Sequence, residues 1–314
     1  MKGKKILLIG ATGFAGQNIL RHFVSEGKEI TGLSRKDGLD LTDFARSSEI
    51  VKKINPDFII NCAAKVGSLN YVSEYAAEVV DQNMIMILNL YKIVRDCAPE
   101  AIIINPVANC SYPGSMELYE EGKIWNGPIH QSVLAFGSTR RMMLVVSECY
   151  KKQFNIKSFN FFVPNMFGPY DSTDPNKAHA LNALACKIVK GKAENTAVVE
   201  AWGTGNVIRE WLYVKDLARF FSMILEKYAS IINDYPAINI AQKIGLSIKE
   251  LVEMMVDHVH YDGKIFWNST VQDGAKIKIM DDRLFLSYFP EFKFTSFKIA
   301  LNETLDYYKS LYPY

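Results

Sequence analysis

The sequence predicts an α/β fold: a doubly wound parallel sheet with a smaller carboxyl-terminal α/β cap. Three observations predict it. Short apolar runs recur at Lys5–Ile9, Glu29–Leu33, Asp57–Asn61, Ala101–Asn105 and Lys157–Val163. Continuous runs of this length suit parallel strands buried on both faces. Stretches with apolar residues at helical spacing lie between them, so strands alternate with helices as in βαβ crossovers. After Pro164 the alternation loosens. The division is therefore placed at 1–165 and 166–314, with some strands and helices of the second part returning to the first.

The first strand, Lys5–Ile9, runs into Gly10-Ala11-Thr12-Gly13-Phe14-Ala15-Gly16 and then a helical stretch from Gln17 to Val24. Strand, glycine turn and helix form a Rossmann-like site for a dinucleotide. Gly10 permits the tight turn, Gly13 lets backbone approach a pyrophosphate, and Gly16 lets the helix pack close. The helix N-terminus offers unpaired N–H groups to the phosphates. The second strand ends in Ser34-Arg35-Lys36, with no acid for a ribose 2′-hydroxyl. A hydroxyl and two cations suit a 2′-phosphate, so NADP is expected before NAD; the plain reading of Arg35-Lys36 is a solvated turn.

Asp40-Leu41-Thr42-Asp43 starts a helix that ends near Ile54, before Asn55-Pro56. The third strand, 57–61, leads into Cys62-Ala63-Ala64-Lys65-Val66-Gly67, small residues against whose backbone a cofactor can lie. Helices are expected over 70–97 and 131–153, with strands at 101–105 and 157–163. In the second part helices are expected over 179–189, 214–228 and 296–311, and strands over 196–202 and 237–241. Ser247-Ile248-Lys249-Glu250 is a capping box. There is no internal repeat and no low-complexity linker.

With 314 residues, 49% hydrophobic and 22% charged, the chain can bury a large core. A net charge of +2 implies neither nucleic acid nor an acidic membrane as a bulk partner. The lysines before Ile6 imitate a signal peptide, but the apolar run is short and Gly10 and Gly13 break it. No stretch is long enough to span a bilayer. The cysteines at 62, 97, 110, 149 and 186 lack close pairs or metal-ligand spacing. Reduced thiols in a cytoplasmic protein, with no metal, are expected.

Taken in order, five motifs resemble the extended short-chain dehydrogenase/reductase family of NAD-dependent epimerases and dehydratases. They are Gly10-x-x-Gly13-x-x-Gly16, Asp40-Leu41-Thr42, Asn61 to Gly67, Pro164-Asn165-Met166-Phe167-Gly168-Pro169, and Arg209-Glu210-Trp211-Leu212-Tyr213-Val214-x-Asp216. The nearest branch epimerises a GDP-4-keto-6-deoxy sugar at C3 and C5, then reduces C4 with NADPH. The resemblance implies cofactor contacts at Gly10, Gly13, Phe14, Gly16, Ser34, Arg35, Asp40, Leu41, Ala63, Ala64, Lys65, Arg140 and His179. It implies contacts to a nucleotide-activated sugar at Ala108, Asn109, Phe136, Asn165, Lys187, Trp202 and Arg209. Arginine suits phosphate through paired donors, and an indole face packs a base or ribose; as a plain reading, Trp202 is a strand-end core residue.

The family reduces its ketone with Tyr, three intervening residues and Lys, helped by a Ser or Thr after the fourth strand. Here the matching stretch reads Phe136-Gly137-Ser138-Thr139-Arg140. Alignment on Cys110-Ser111-Tyr112-Pro113 puts Ala108 and Asn109 where the family has two serines. A phenyl ring exchanges no proton, a loss of ~10²–10⁴ in rate. Arg140 keeps the charge, in a fork instead of a point.

The epimerisation positions are kept: Cys110 matches the family's acid/base cysteine and His179 its histidine. A proton alpha to a ketone is acidic enough for such a pair, and no hydride is required. The first expectation is an epimerase for a nucleotide-activated 4-keto sugar, with hydride transfer impaired. Two others stay open: NADPH-dependent reduction with the proton from Asn109, Ser138 or water, and nucleotide binding without turnover. As plain readings, Cys110 is a small buried hydrophobe and His179 a cap or surface residue. The resemblance also implies a homodimer through helices near 83–94 and 139–150. Met142-Met143-Leu144-Val145-Val146 is apolar on more than one face, which one sheet contact would leave partly open.

Overall fold

The computed structural model describes residues 3–174, 177–227, 237–271 and 273–314. Met1, Lys2 and the expected helix end at Tyr228 lie outside the described residues. In the amino-terminal part the chain runs β1 (Ile6–Ile9), α1 (Phe14–Ser25), β2 (Thr31–Leu33), α2 (Phe44–Ile54), β3 (Phe58–Asn61), α3 (Leu69–Glu74), α4 (Ala76–Cys97), β4 (Ile102–Ala108), β5 (Leu118–Tyr119), α5 (Leu134–Phe154) and β6 (Ser158–Val163). It continues through β7 (Asn165–Phe167), α6 (Ala180–Ala193), β8 (Val198–Trp202), β9 (Ile208–Tyr213), α7 (Val214–Lys227) and β10 (Ile238–Asn239). It closes with β11 (Gly245–Ser247), α8 (Ile248–Val259), β12 (Lys264–Asn268), β13 (Ile277–Met280), α9 (Arg283–Tyr288) and α10 (Phe297–Leu311).

The central sheet has six strands in the order β10-β6-β4-β3-β1-β2, all parallel. Alternation along β1 explains its two-sided burial. Ile6 and Leu8 join Phe58 and Ile60 against Ile19 and Phe23 of α1 and Phe220 and Phe221 of α7. Leu7 and Ile9 join Ile59 and Ile103 against Val51 of α2 and Leu90 of α4. Each such side chain, fully buried, contributes about 1.5–3 kcal/mol. The chain leaves β1 toward β2 on one side and returns with β3 on the other. Ligands of open α/β sheets bind at the carboxyl ends of the strands beside such a reversal, which is where the Gly10 turn lies.

A second sheet, β11-β9-β13-β5, carries β7 beside β9, and β12 pairs with β8. Leu181 and Ile188 of α6, Met255 of α8 and Leu301 of α10 pack in one cluster with Phe167, Trp211 and Tyr213. The two sheets interleave in sequence. Residues 118–119, ahead of α5, supply a strand of the second sheet, while β10 returns to the first.

The helix expected over 70–97 is broken at Tyr75 into α3 and α4. The strand expected to end at Asn105 runs on to Ala108, because β4 stays paired with β6 through Val163. The expected start of α2 is confirmed with Asp43 as its cap, accepting from the Arg46 N–H at 3.0 Å. The Ser247–Glu250 capping box opens α8. Of the apolar run on α5, Met143, Leu144 and Val146 are buried within the chain, leaving Met142 exposed. Val80 and Ile85 on α4 are also exposed.

Candidate active site

The glycine turn is built by close approach. Gly10 has φ +82°, and a Cβ at Gly16 would sit 2.1 Å from the Gly10 carbonyl oxygen. Any side chain at Gly16 would push α1 off the turn. The Gly10 and Ala11 N–H groups donate to the Leu33 carbonyl at 2.8 and 3.1 Å, which fixes the end of β2 beside the turn.

At that end the structure adds an acid that no sequence motif marks. The Asp37 carboxylate accepts from the Ser34 N–H at 2.9 Å and the Ser34 hydroxyl at 2.7 Å. Ser34 is thus the cap of a short 3-10 turn, its hydroxyl proton already engaged, while Arg35 is exposed. Asp40 likewise serves the backbone, accepting from the N–H and hydroxyl of Thr42 at 2.9 and 2.8 Å. Leu41 is a core residue whose carbonyl accepts from Asn89 at 2.8 Å. The Ala63 N–H is turned to Asn61, and Ala64 is exposed. Lys65 forms a 2.7 Å ion pair with Glu78, so its charge is already paired.

Asn83, fully buried on α4, organises the next layer. Its amide holds the Lys65 loop through both backbone groups, at 3.1 and 2.9 Å. Its Oδ1 also accepts from Nη2 of Arg140 at 2.5 Å. Arg140 is 4% exposed, and burial lowers its guanidinium to about 10. The guanidinium lies over the half-buried Phe136 ring, 5.1 Å from its centroid. The resemblance sets Arg140 at the family's lysine position and Phe136 at its tyrosine position; in the structure the two form a cation–π pair.

Gly137 lets α5 meet the 3-10 turn that follows β4, because a Cβ there would be 2.5 Å from the Cys110 carbonyl oxygen. Ala108 ends β4 and Asn109 is buried beside it. Cys110 is half-buried. Burial pushes its thiol up, while the charges of Lys278 and Arg140 pull the other way. The net result keeps Cys110 protonated at neutral pH, hence a proton donor in its resting form. Lys278 on β13 is in register with Arg209 on β9. Burial lowers both cations below their usual range, a state that an anionic ligand would relieve.

His179 precedes α6 and is held by another residue that no motif marks. Asp171 accepts from the His179 N–H at 2.8 Å and pairs with ring Nδ1 at 3.1 Å. Burial pushes the Asp171 carboxyl up, but hydrogen bonds from His179 and Asn182 outweigh it and hold it below its ordinary value. An ionised partner requires the proton on Nδ1, so in the neutral ring Nε2 carries the lone pair. The ring lies 5.1 Å from that of Phe14 at the start of α1. The histidine therefore borders the dinucleotide turn.

Lys187 and Trp202 meet, with Nζ 4.6 Å from the indole centroid. Trp202 is 44% exposed, so it presents a face to solvent and is not a core residue. Asp273 accepts from the Thr204 N–H and hydroxyl at 3.1 and 2.6 Å and pins the loop that follows. Asn165 donates to the Glu210 carbonyl at 3.3 Å, which ties β7 to the strand carrying Arg209. Lys278, Asp171, Asn83 and Asp273 have no motif to announce them. Strand register places Lys278, loop closure Asp171 and Asp273, and helix packing Asn83.

Residues 6–241 match the NAD dependent epimerase/dehydratase family. The chain belongs to that family. It is 28% identical over 281 residues to a probable GDP-L-fucose synthase 1 of Oryza sativa subsp. japonica, covering 89% of this chain and 84% of that one. Its fold matches a GDP-6-OMe-4-keto-L-xylo-heptose reductase from C. jejuni with a TM-score of 0.89, at 20% identity and over 99% of each chain. It also matches a GDP-L-fucose synthetase from Naegleria fowleri bound to NADP, with a TM-score of 0.86 at 23% identity, over 99% of this chain and 96% of that one. The family member thus resembles GDP-L-fucose synthases along nearly its whole length.

Proposed function

We propose that this family member epimerises a nucleotide-activated 4-keto sugar, most simply a GDP-sugar, at the carbons flanking the ketone, and that it transfers hydride poorly. One observation carries the reading. An acid, Cys110, and a base, His179, are retained, while Phe136 and Arg140 leave no proton-exchanging pair at the reduction site. His179, with Nε2 unprotonated, takes an alpha proton. Cys110, a thiol at rest, returns one. Arg209, Lys278 and Lys187 hold the diphosphate, and the exposed Trp202 face packs the base or ribose. Relatives named as GDP-L-fucose synthases favour GDP.

The glycine turn fits a dinucleotide: Gly10 and Gly16 let the turn pack so closely, on the Cys62 backbone and the Gly10 carbonyl, that a Cβ at either would clash. The turn's N–H groups would hold the pyrophosphate and Arg35 a 2′-phosphate, so NADP(H) is the expected cofactor. When bound, NADPH would bring a hydride donor to the sugar; at the position that resembles the family's tyrosine, Phe136 supplies no phenol to protonate the product oxygen. The proposed division of labour gives 1–165 to the cofactor and 166–314 to the sugar nucleotide. A homodimer through α4 and α5 is also proposed, on the exposed Val80, Ile85 and Met142. Light scattering at micromolar concentration tests it; a monomer overturns it.

The deciding experiment incubates the protein with GDP-4-keto-6-deoxymannose in D₂O and follows deuterium at C3 and C5 by NMR. Incorporation that disappears in Cys110→Ala and His179→Ala supports the reading. Binding without exchange favours a non-catalytic protein, and NADPH oxidation above background favours an intact reductase.

A further inference from the structure

Two buried donors at the altered reduction site have no acceptor among the described residues: Nε of Arg140 and Nδ2 of Asn109. Both side chains are at least 95% buried. A buried donor left unmatched costs about 1–3 kcal/mol, so two beside one site ask for an outside acceptor. Arg140 also has no carboxylate among its ion-pair partners in the described residues. Its only hydrogen bond there is to the neutral Asn83, which fixes the fork by Nη2 and leaves the Nε edge open.

The local packing sets the residues that carry these donors near Cys110. Asn109 is the residue before it in the same 3-10 turn. Gly137 presses α5 onto the Cys110 carbonyl, and Arg140 is one helical turn further along, on the same face. Arg140 is near enough to Cys110 that its guanidinium offsets part of the effect of burial on the thiol.

We propose that Arg140 and Asn109 form an oxyanion site for the sugar's C4 oxygen, stabilising the enolate that epimerisation requires. This rests on the epimerase reading above. In the step, the base takes a proton from C3 or C5. The C–H electron pair becomes a C=C bond to C4, and the carbonyl π pair moves onto the C4 oxygen. Arg140 and Asn109 hold that charge by hydrogen bonds without giving up a proton. Return of the pair to carbon, with a proton delivered from the opposite face, restores the ketone in inverted configuration. Where the family's triad donates a proton to a reduced oxygen, the altered residues hold a charged one.

The test measures deuterium exchange into GDP-4-keto-6-deoxymannose at saturating NADP, for wild type, Arg140→Gln and Asn109→Ala. Loss of one oxyanion donor lowers the exchange rate by ~10²–10³, with KM for the sugar nucleotide and Kd for NADP within a few-fold. Guanidinium ion added to Arg140→Gln restores part of the rate. Wild-type exchange with no fall in either variant overturns the oxyanion site and leaves the epimerase reading standing. So does a tenfold weaker NADP Kd in Arg140→Gln with unchanged exchange, which makes Arg140 a cofactor contact. Absence of exchange in wild type overturns both. If Arg140→Gln fails to fold by thermal melting, Asn109→Ala decides.

Discussion

Asp171 binds His179 twice, once through the backbone N–H at 2.8 Å and once through ring Nδ1 at 3.1 Å. The carboxylate thereby sets both the place of the residue and the tautomer of its ring. Asp171→Asn keeps the shape but loses the charge, and its amide can present a donor to Nδ1, which favours the proton on Nε2. Exchange of the sugar's alpha protons should fall about 10²-fold or more, by analogy with other carboxylate-oriented histidines. The sugar-nucleotide KM should stay within a few-fold. NMR in D₂O measures both, and unchanged exchange would show that His179 is not the base.

The contrast between His179 and Asp171 shows what sequence can reveal. His179 is legible because the family resemblance extends to it. Asp171 lies in a loop with no periodicity, and its role exists only once the chain folds back by eight residues. The central sheet is legible because its strands are continuous apolar runs between helices. The second sheet is largely hidden: β7, β11 and β13 have three or four residues each, too few to show a period. Lys278 becomes a site residue only through its register with Arg209. In sequence Ser34 reads as free for a phosphate because nothing there marks Asp37 as its partner; local capping engages it instead.

Glu210 gives a pH prediction. It is 1% exposed and accepts N–H groups from Gln242, Lys243 and Met280 at 2.7, 3.2 and 2.8 Å. Burial still raises its carboxyl to about 7. An unfolded glutamate titrates near ~4.3. Between these values the native state holds a proton that the unfolded chain has lost, so stability falls as pH rises. This group's contribution is complete below about pH 4 and gone above about pH 7, a change on the order of 3 kcal/mol. Chemical denaturation from pH 5 to 8 should show wild type losing stability relative to Glu210→Gln. Parallel curves for the two proteins would place the proton elsewhere.

Arg35 is exposed at the end of β2, next to a serine whose hydroxyl already donates to Asp37. If a 2′-phosphate is bound there, the cation supplies most of the attraction. Arg35→Ala should weaken NADP by roughly 10–100-fold, the range for a charge-assisted hydrogen bond, and leave NAD nearly unchanged. Ser34→Ala should weaken both cofactors by a smaller, similar factor, because it loosens the turn. Calorimetric titration of each cofactor checks this. Tighter NAD than NADP in wild type would mean that Asp37 governs the site.

In the proposed reading Phe136 is the change that most directly impairs reduction. By the family resemblance its ring takes the tyrosine position, with Arg140 Cζ 5.1 Å from the centroid. Phe136→Tyr adds only a hydroxyl, and the neighbouring guanidinium would favour its ionised form and so make it an easier proton donor. NADPH oxidation with GDP-4-keto-6-deoxymannose should then rise by about 10²-fold over wild type. Arg140→Lys alone should give no gain, since a cation without a proton source cannot complete the reduction. The double variant should exceed Phe136→Tyr, because lysine's compact head leaves room for the hydroxyl and frees the ribose contact. Absorbance at the NADPH band follows all four proteins. No gain in either Phe136→Tyr protein would mean that the cofactor and the C4 carbon do not meet in this site.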